Sequence, residues 1–204
     1  MEALEVWNEP NLDISLRSSD RVGDYASILK AAYPRIKAAN PRLTVLGGAL
    51  AFSDGDFLTA LYDHGIKGSY DDISYHPYSE GRGPDDLGRP QEKAYSYQLG
   101  SRWIRDIMVA HGDSATSMWQ TEVGFSTCTI GTSRWCVTKR QQARYTADLF
   151  RIAREKMPYV KAVVAYNLRN KGVEPGDREG QFGLLNRDFT PKPAYEALSS
   201  ALKR

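Results

Sequence analysis

The chain has 204 residues, 41% of them hydrophobic and 25% charged, with 27 Lys+Arg against 25 Asp+Glu for a formal charge of +2. This is a globular profile, long enough for one large domain or two small ones. The near-neutral balance lacks the basic face that phosphate contacts demand and argues against a nucleic-acid partner. No apolar run approaches the ~20 residues needed to cross a bilayer, which argues against a membrane span.

In chain order, residues 3–7 (ALEVW) read as a first strand. Residues 22–39 then carry Tyr25, Ile28, Leu29, Ala32 and Ile36 at spacings near three and four, an amphipathic helix with Asp20 as its cap. A second strand is predicted over 43–47 and a helix over 57–64. The third strand covers 72–76 (DISYH), followed by a Gly/Pro-rich loop and a helix over 95–111. The fourth strand covers 118–122 (MWQTE), with a helix over 139–156, and the fifth covers 160–167 (VKAVVAYN). A last helix is expected from about 191–192, where proline suits a first turn. Five successive βα units imply parallel strands and the α/β class, in a single domain over residues 1–204. No G-x-G-x-x-G or Walker loop follows any strand, so a nucleotide site is not supported. The strand ends carry carboxylate, amide, imidazole and phenol instead, as at the C-terminal mouth of a (β/α)₈ barrel.

Cys128 and Cys136 lie in one short polar segment, STCTIGTSRWC. A bridge between them would close a small loop and contribute roughly 2–3 kcal/mol. Two reduced thiols are the alternative; a zinc site lacks a second ligand pair nearby. A bridge implies an oxidising compartment and hence a secreted or extracytoplasmic protein, although the opening MEALEVWNEP has neither the basic nor the apolar region of a signal peptide.

Glu9 closes the first strand in Trp7-Asn8-Glu9-Pro10, and Glu122 closes the fourth in Trp119-Gln120-Thr121-Glu122. Two carboxylates at the same end of parallel strands can face one another across a cleft, which glycoside hydrolysis requires: one gives a proton to the leaving oxygen while the other attacks the anomeric carbon or activates water. His64 and His111 fall at predicted helix C-termini, where the dipole favours a cation, and are given no functional role. Glu5 shares strand parity with Glu9 and is read as structural, in need of a positive partner if it points inward. Arg169, Asn170 and the charged loop 171–179 either shape a binding site or are solvated loop.

The strings LEVWNEPN, SYHPY, WQTEVGFST and FGLLNRDFTPKPAYEAL together resemble the fourth, sixth, seventh and post-eighth-strand segments of the clan A glycoside hydrolases, nearest to the family 39 and cellulase-like (family 5) branches. The resemblance implies a partial TIM (β/α)₈ barrel, five parallel βα units equivalent to strands 4–8. It implies Glu9 as acid/base and Glu122 as nucleophile of a retaining hydrolase acting on a β-linked glycan, without metal or organic cofactor. It further implies Asn8 as a partner of the sugar 2-hydroxyl and His76 and Tyr78 as the His-x-Tyr pair of the sixth strand, the phenol contacting the nucleophile. Trp7, Trp119 and Tyr166 could offer faces to sugar rings, or could simply pack the barrel.

Three βα units of the family, on the order of 100 residues in a barrel of ~250, have no counterpart in this sequence. They are the units that supply substrate-binding groups, including a second-strand arginine. Five strands cannot close a barrel, and two open edges would carry unpaired backbone groups, so pairing with another copy as a homodimer is the expectation. Two other functions stay open: a carbohydrate-binding half-barrel without a complete catalytic pocket, and a metal-dependent sugar enzyme in which Glu9, His76 and Glu122 are ligands.

Overall fold

The structure, a computed structural model, describes residues 2–129 and 134–203. Five strands, β1 (Ala3–Glu5), β2 (Thr44–Ala51), β3 (Asp72–His76), β4 (Met118–Val123) and β5 (Val160–Ala165), form one parallel sheet in the order β1-β2-β3-β4-β5. Helices α1 (Arg21–Ala39), α2 (Gly55–Asp63), α3 (Tyr97–Ala110) and α4 (Lys139–Lys156) join successive strands, and α5 (Pro193–Leu202) follows the last. The sheet curls as its twist accumulates. Thr121 on β4 donates to Glu5 on β1 at 2.6 Å, a contact that spans the hollow of the curve. The result is a half-barrel, with β1 paired, among the described residues, only to β2 and β5 only to β4.

Local chemistry starts the helices where the chain leaves the sheet. Asp20, Asp54, Ser96 and Thr138 each accept a backbone N–H two or three residues into α1, α2, α3 and α4, and Gln141 returns the bond to Thr138. The helices bury their apolar faces on the convex side of the sheet. One core gathers Tyr25, Leu29, Val45, Leu58, Leu61, Ile73, Ile104 and Met118 under α1, α2 and α3. A second gathers Val123, Phe125, Tyr145, Leu149 and Ile152 under α4. Each such side chain removed from water contributes roughly 1.5–3 kcal/mol. Polar groups inside this layer are satisfied in pairs: the Tyr97 hydroxyl donates to Gln120 Oε1, and Gln120 Nε2 donates to the Tyr75 hydroxyl.

Element ends differ from the sequence expectation at β1, β2, α3 and β5. β1 stops at Glu5 rather than at residue 7, because Trp7 takes a φ of 74° that no strand accommodates. β2 runs on to Ala51, four residues past its expected end, through an irregularity between Gly47 and Leu50. α3 begins at Tyr97, residues Pro90–Tyr95 forming a 3₁₀ segment, and β5 ends at Ala165 rather than at 167. The Cys128–Cys136 disulfide is formed. No helix of the described residues is long and apolar enough to cross a membrane.

Candidate active site

Because all five strands are parallel, their C-terminal ends share one rim, and strained backbone gathers there. Trp7 (φ 74°), Glu9 (φ 49°), Ala49 (φ 49°) and Phe52 (φ 59°) all hold left-handed conformations, each costing on the order of 1–3 kcal/mol. The Glu9 N–H donates to Ala49 O at 2.8 Å, fixing the first loop to the irregular stretch of β2. That stretch needs Gly48, whose φ is 105° and where a Cβ would lie 2.5 Å from Ser74 O. On the far side of the rim Gly124 lets the ends of β4 and β5 close up, since any Cβ there would collide with Tyr166 O. Tyr166 is thereby brought beside Glu122.

These elements enclose a cleft of about 270 Å³ lined by Asn8, Glu9, Tyr78, Glu122 and Tyr166. His76, fully buried beneath it, sets the two acids relative to one another. Its Nδ1 lies 3.0 Å from Glu9 Oε1 and 4.0 Å from Glu122 Oε2. Those two oxygens can therefore be no more than about 7 Å apart, which covers the ~5–5.5 Å of retaining glycosidases and only the short edge of the ~6.5–9.5 Å of inverting ones. The Tyr78 hydroxyl donates to Glu122 Oε2 at 2.8 Å.

Burial alone would lower the pKa of His76, but the neighbouring Glu5 and Glu9 carboxylates and the charge of Glu122 outweigh it and carry the imidazole up to about 9. His76 is thus an imidazolium at neutral pH, a donor through both ring nitrogens. Nδ1 serves Glu9, while Nε2 lies 4.0 Å from Glu5 Oε2 and has no hydrogen-bond partner among the described residues. Burial would likewise raise the Glu5 carboxyl; contacts with His76, Ser74 and Thr121 reverse this and hold it below the usual glutamate range. Burial and then the Glu122 charge push the Tyr78 phenol far above its ordinary value, so it stays a donor. The arrangement orients Glu9 through His76 and Glu122 through Tyr78 within one cleft.

The structure brings Asn8, Glu9, His76, Tyr78, Glu122 and Tyr166 to one place and leaves out two aromatics that the sequence offered. Trp7 is 46% exposed, with its indole N–H given to Ser15 O, because the left-handed turn swings it away from the cleft. Trp119 sits at the opposite end of β4, its indole N–H donated to Asp72 at 2.8 Å. Both corrections follow from position: Trp119 is the second residue of its strand, Glu122 the fifth. In the loop after β5, Arg178 and Glu179 line the cleft, whereas Asn170 is buried against Gln181 and Arg169 stacks on Phe189. Sequence reasoning missed Phe52, Trp135 and Phe182, which also line it. Phe52 directly follows β2, the one signal that could have found it. Trp135 precedes the bridged Cys136.

No family model matches the sequence, and no curated protein does. Solved structures do. A family 39 glycoside hydrolase from Bacteroides cellulosilyticus WH2 matches with a TM-score of 0.77 at 28% identity, over 97% of this chain and 39% of that one. A monomeric beta-xylosidase from Caulobacter crescentus CB15 matches with a TM-score of 0.63 at 25% identity, over 95% and 40%. A glucosidase from Croceicoccus marinus, at 16% identity and a TM-score of 0.74 over 98% and 40%, shares the fold. The chain is a partial clan A (β/α)₈ barrel, matched to family 39 structures, and it spans about two fifths of the length of those structures.

Proposed function

We propose that this chain carries the catalytic pair of a retaining glycoside hydrolase that acts on β-linked glycans, with Glu9 as acid/base and Glu122 as nucleophile. The observation that carries the reading is the pair of carboxylates held across one cleft by a single buried imidazolium, 3.0 Å and 4.0 Å from its Nδ1. In the first step a Glu122 oxygen bonds to the anomeric carbon as the bond to the leaving oxygen breaks, and that oxygen takes a proton from Glu9. His76, 3.0 Å away, steadies the carboxylate that Glu9 then becomes. In the second step Glu9 takes a proton from water, which attacks the anomeric carbon and frees Glu122. Asn8, on the cleft wall next to Glu9, is placed to meet the sugar 2-hydroxyl, an interaction that strengthens as positive charge develops on the ring. Tyr78 keeps Glu122 in line by its hydrogen bond. The disulfide supports an oxidising, extracytoplasmic setting.

The test is intact mass after incubation with a panel of activated 2-fluoro β-glycosides, for the native chain and for Glu122→Gln. An adduct on Glu122 in the first and none in the second is the expected result. The open edges of β1 and β5 favour one other reading, a sugar-binding half-barrel, on which a folded chain binds glycans saturably and forms no adduct across the panel. Those edges are also where a second copy would add strands; a monomer by light scattering at micromolar concentration would remove that partner.

A further inference from the structure

Beside the carboxylate cleft lies a second cavity of about 300 Å³, lined in part by Asn11, Asp56 and Tyr95. Leu12, Ala51 and Phe52 line both cavities, so the two adjoin at Phe52. Phe52 is held there by its left-handed backbone and by a bridge to His76. Its ring meets Trp135 on the cleft side at a centroid distance of 5.9 Å and Tyr95 on the other side at 4.9 Å. Three aromatic rings, Trp135 and Tyr95 tilted 51° and 62° to Phe52, thus link the wall of the catalytic cleft to that of the second cavity. The set is fastened at both ends: Trp135 precedes a disulfide-bonded Cys136, and Tyr95 closes the 3₁₀ segment Pro90–Tyr95.

Each cavity alone is at or below the lower end of the ~300–1,000 Å³ usual for small-molecule sites, room for one sugar ring rather than a chain. Equatorially substituted, β-linked pyranoses present flat C–H faces with hydroxyls at their edges. Aromatic rings suit those faces, and the exposed Asp56 carboxylate at the margin suits a hydroxyl donor. We propose that Trp135, Phe52 and Tyr95 form a rail that carries a β-linked oligosaccharide from the carboxylate pair into a second sugar subsite. The proposal rests on the hydrolase reading for which ring is cleaved, but not for binding.

Isothermal titration of the chain with xylo- and cello-oligosaccharides of one to four units tests it. In one of the two series the dissociation constant is expected to fall about tenfold or more from the monosaccharide to the trisaccharide. Tyr95→Ala, in a half-buried segment, and Phe52→Ala are each expected to bring the longer sugars back toward the monosaccharide value. Affinity independent of length in both series, or length dependence untouched by Tyr95→Ala in a folded protein, overturns the rail. Labelling of the same sample by a 2-fluoro glycoside separates the two readings. A labelled chain without length dependence loses the second subsite and keeps the hydrolase, and an unlabelled chain with length dependence keeps the subsite and loses the hydrolase.

Discussion

The two ends of the concave face each hold acids among polar groups, and they balance charge differently. At the N-terminal end of the strands, Asp72 accepts from the Ser117 N–H, the Trp119 indole and the Lys161 ammonium at 3.2, 2.8 and 3.2 Å. One negative charge meets one positive charge, and its oxygens are well supplied with donors. At the C-terminal end, three acids, Glu5, Glu9 and Glu122, lie within 4.0 Å of the His76 ring, and Arg178 lines the cleft beyond them. The surplus negative charge faces an open cleft. The cavity at the N-terminal end is the larger, about 480 Å³ against 270 Å³, so size does not pick out the site. Unbalanced charge held in strained backbone does, because such an arrangement costs stability and is kept where a ligand or a reaction uses it.

The largest expected effect breaks the comparison at its centre. Glu122→Gln removes the attacking oxygen and is expected to lower turnover of an activated glycoside by about 10³-fold or more, equivalent to roughly 4 kcal/mol. Asp72→Ala at the other end is expected to leave turnover and 2-fluoro labelling intact. Its cost is stability, about 1–3 kcal/mol in urea, because the Ser117 and Trp119 donors lose their acceptor in a buried place. A matching loss of turnover in Asp72→Ala would mean that the two ends are one functional unit.

The next effect is a pH dependence. His76 titrates near 9 in the folded protein against an ordinary 6.5, so the native state holds this proton more tightly than the unfolded chain does. Its contribution, on the order of 3 kcal/mol, is whole below pH 6.5 and is lost as pH rises toward 9. Lys192 runs the other way. Burial, then the charge of Lys139, lowers it to about 8, and its only hydrogen-bond partners among the described residues, Thr127 Oγ1 and Gln181 O, are neutral. Stability is therefore regained between pH 8 and 10.5. Urea midpoints should fall from pH 6.5 to 8, and His76→Gln should flatten that fall.

How legible each part was follows from where its determinants lie. The α4 span 139–156 and the β3 span 72–76 were read from the sequence with their observed bounds, and in the structure a Thr138–Gln141 capping box and an unbroken buried run fix them locally. Glu9, His76, Tyr78 and Glu122 were legible as a set because each closes or follows a strand, and parallel strands bring those positions to one rim. Trp7 and Trp119 lie outside the cleft for two different reasons. Strand parity says which face a residue takes but not which end, and it fails altogether where φ turns positive, as at Trp7. Phe52 and Trp135 depend on contacts outside their own strands: one on a bridge to His76, 24 residues on, the other on the disulfide-bonded Cys136 beside it.

Tyr78→Phe sharpens the cleft half of the comparison. The phenol gives Glu122 a charge-assisted hydrogen bond of 2.8 Å, and deleting such a bond costs about 1.5–3 kcal/mol. If it acts on the nucleophile in the transition state, kcat for an activated glycoside is expected to fall roughly 10- to 100-fold. A rise in KM alone would make Tyr78 a part of the sugar-binding wall instead.

The smallest expected effect tests whether the opposite end is as inert as its charge balance implies. Lys161 is bonded to Asp72 at 3.2 Å, but its side chain is 54% exposed. Water can therefore take its place at the Asp72 oxygen, and a half-solvated pair of this kind is worth roughly 0–1 kcal/mol. Its ammonium also lies 5.6 Å from the centre of the Trp119 ring, a contact that Met would replace in part through its thioether. Lys161→Met is expected to shift the urea midpoint by less than about 1 kcal/mol and to leave 2-fluoro labelling unchanged. A cost equal to that of Asp72→Ala would show a tightly coupled ion pair. The two ends of the face would then differ only in how many acids share a cation, and the excess of charge at the cleft would lose its claim to mark the site.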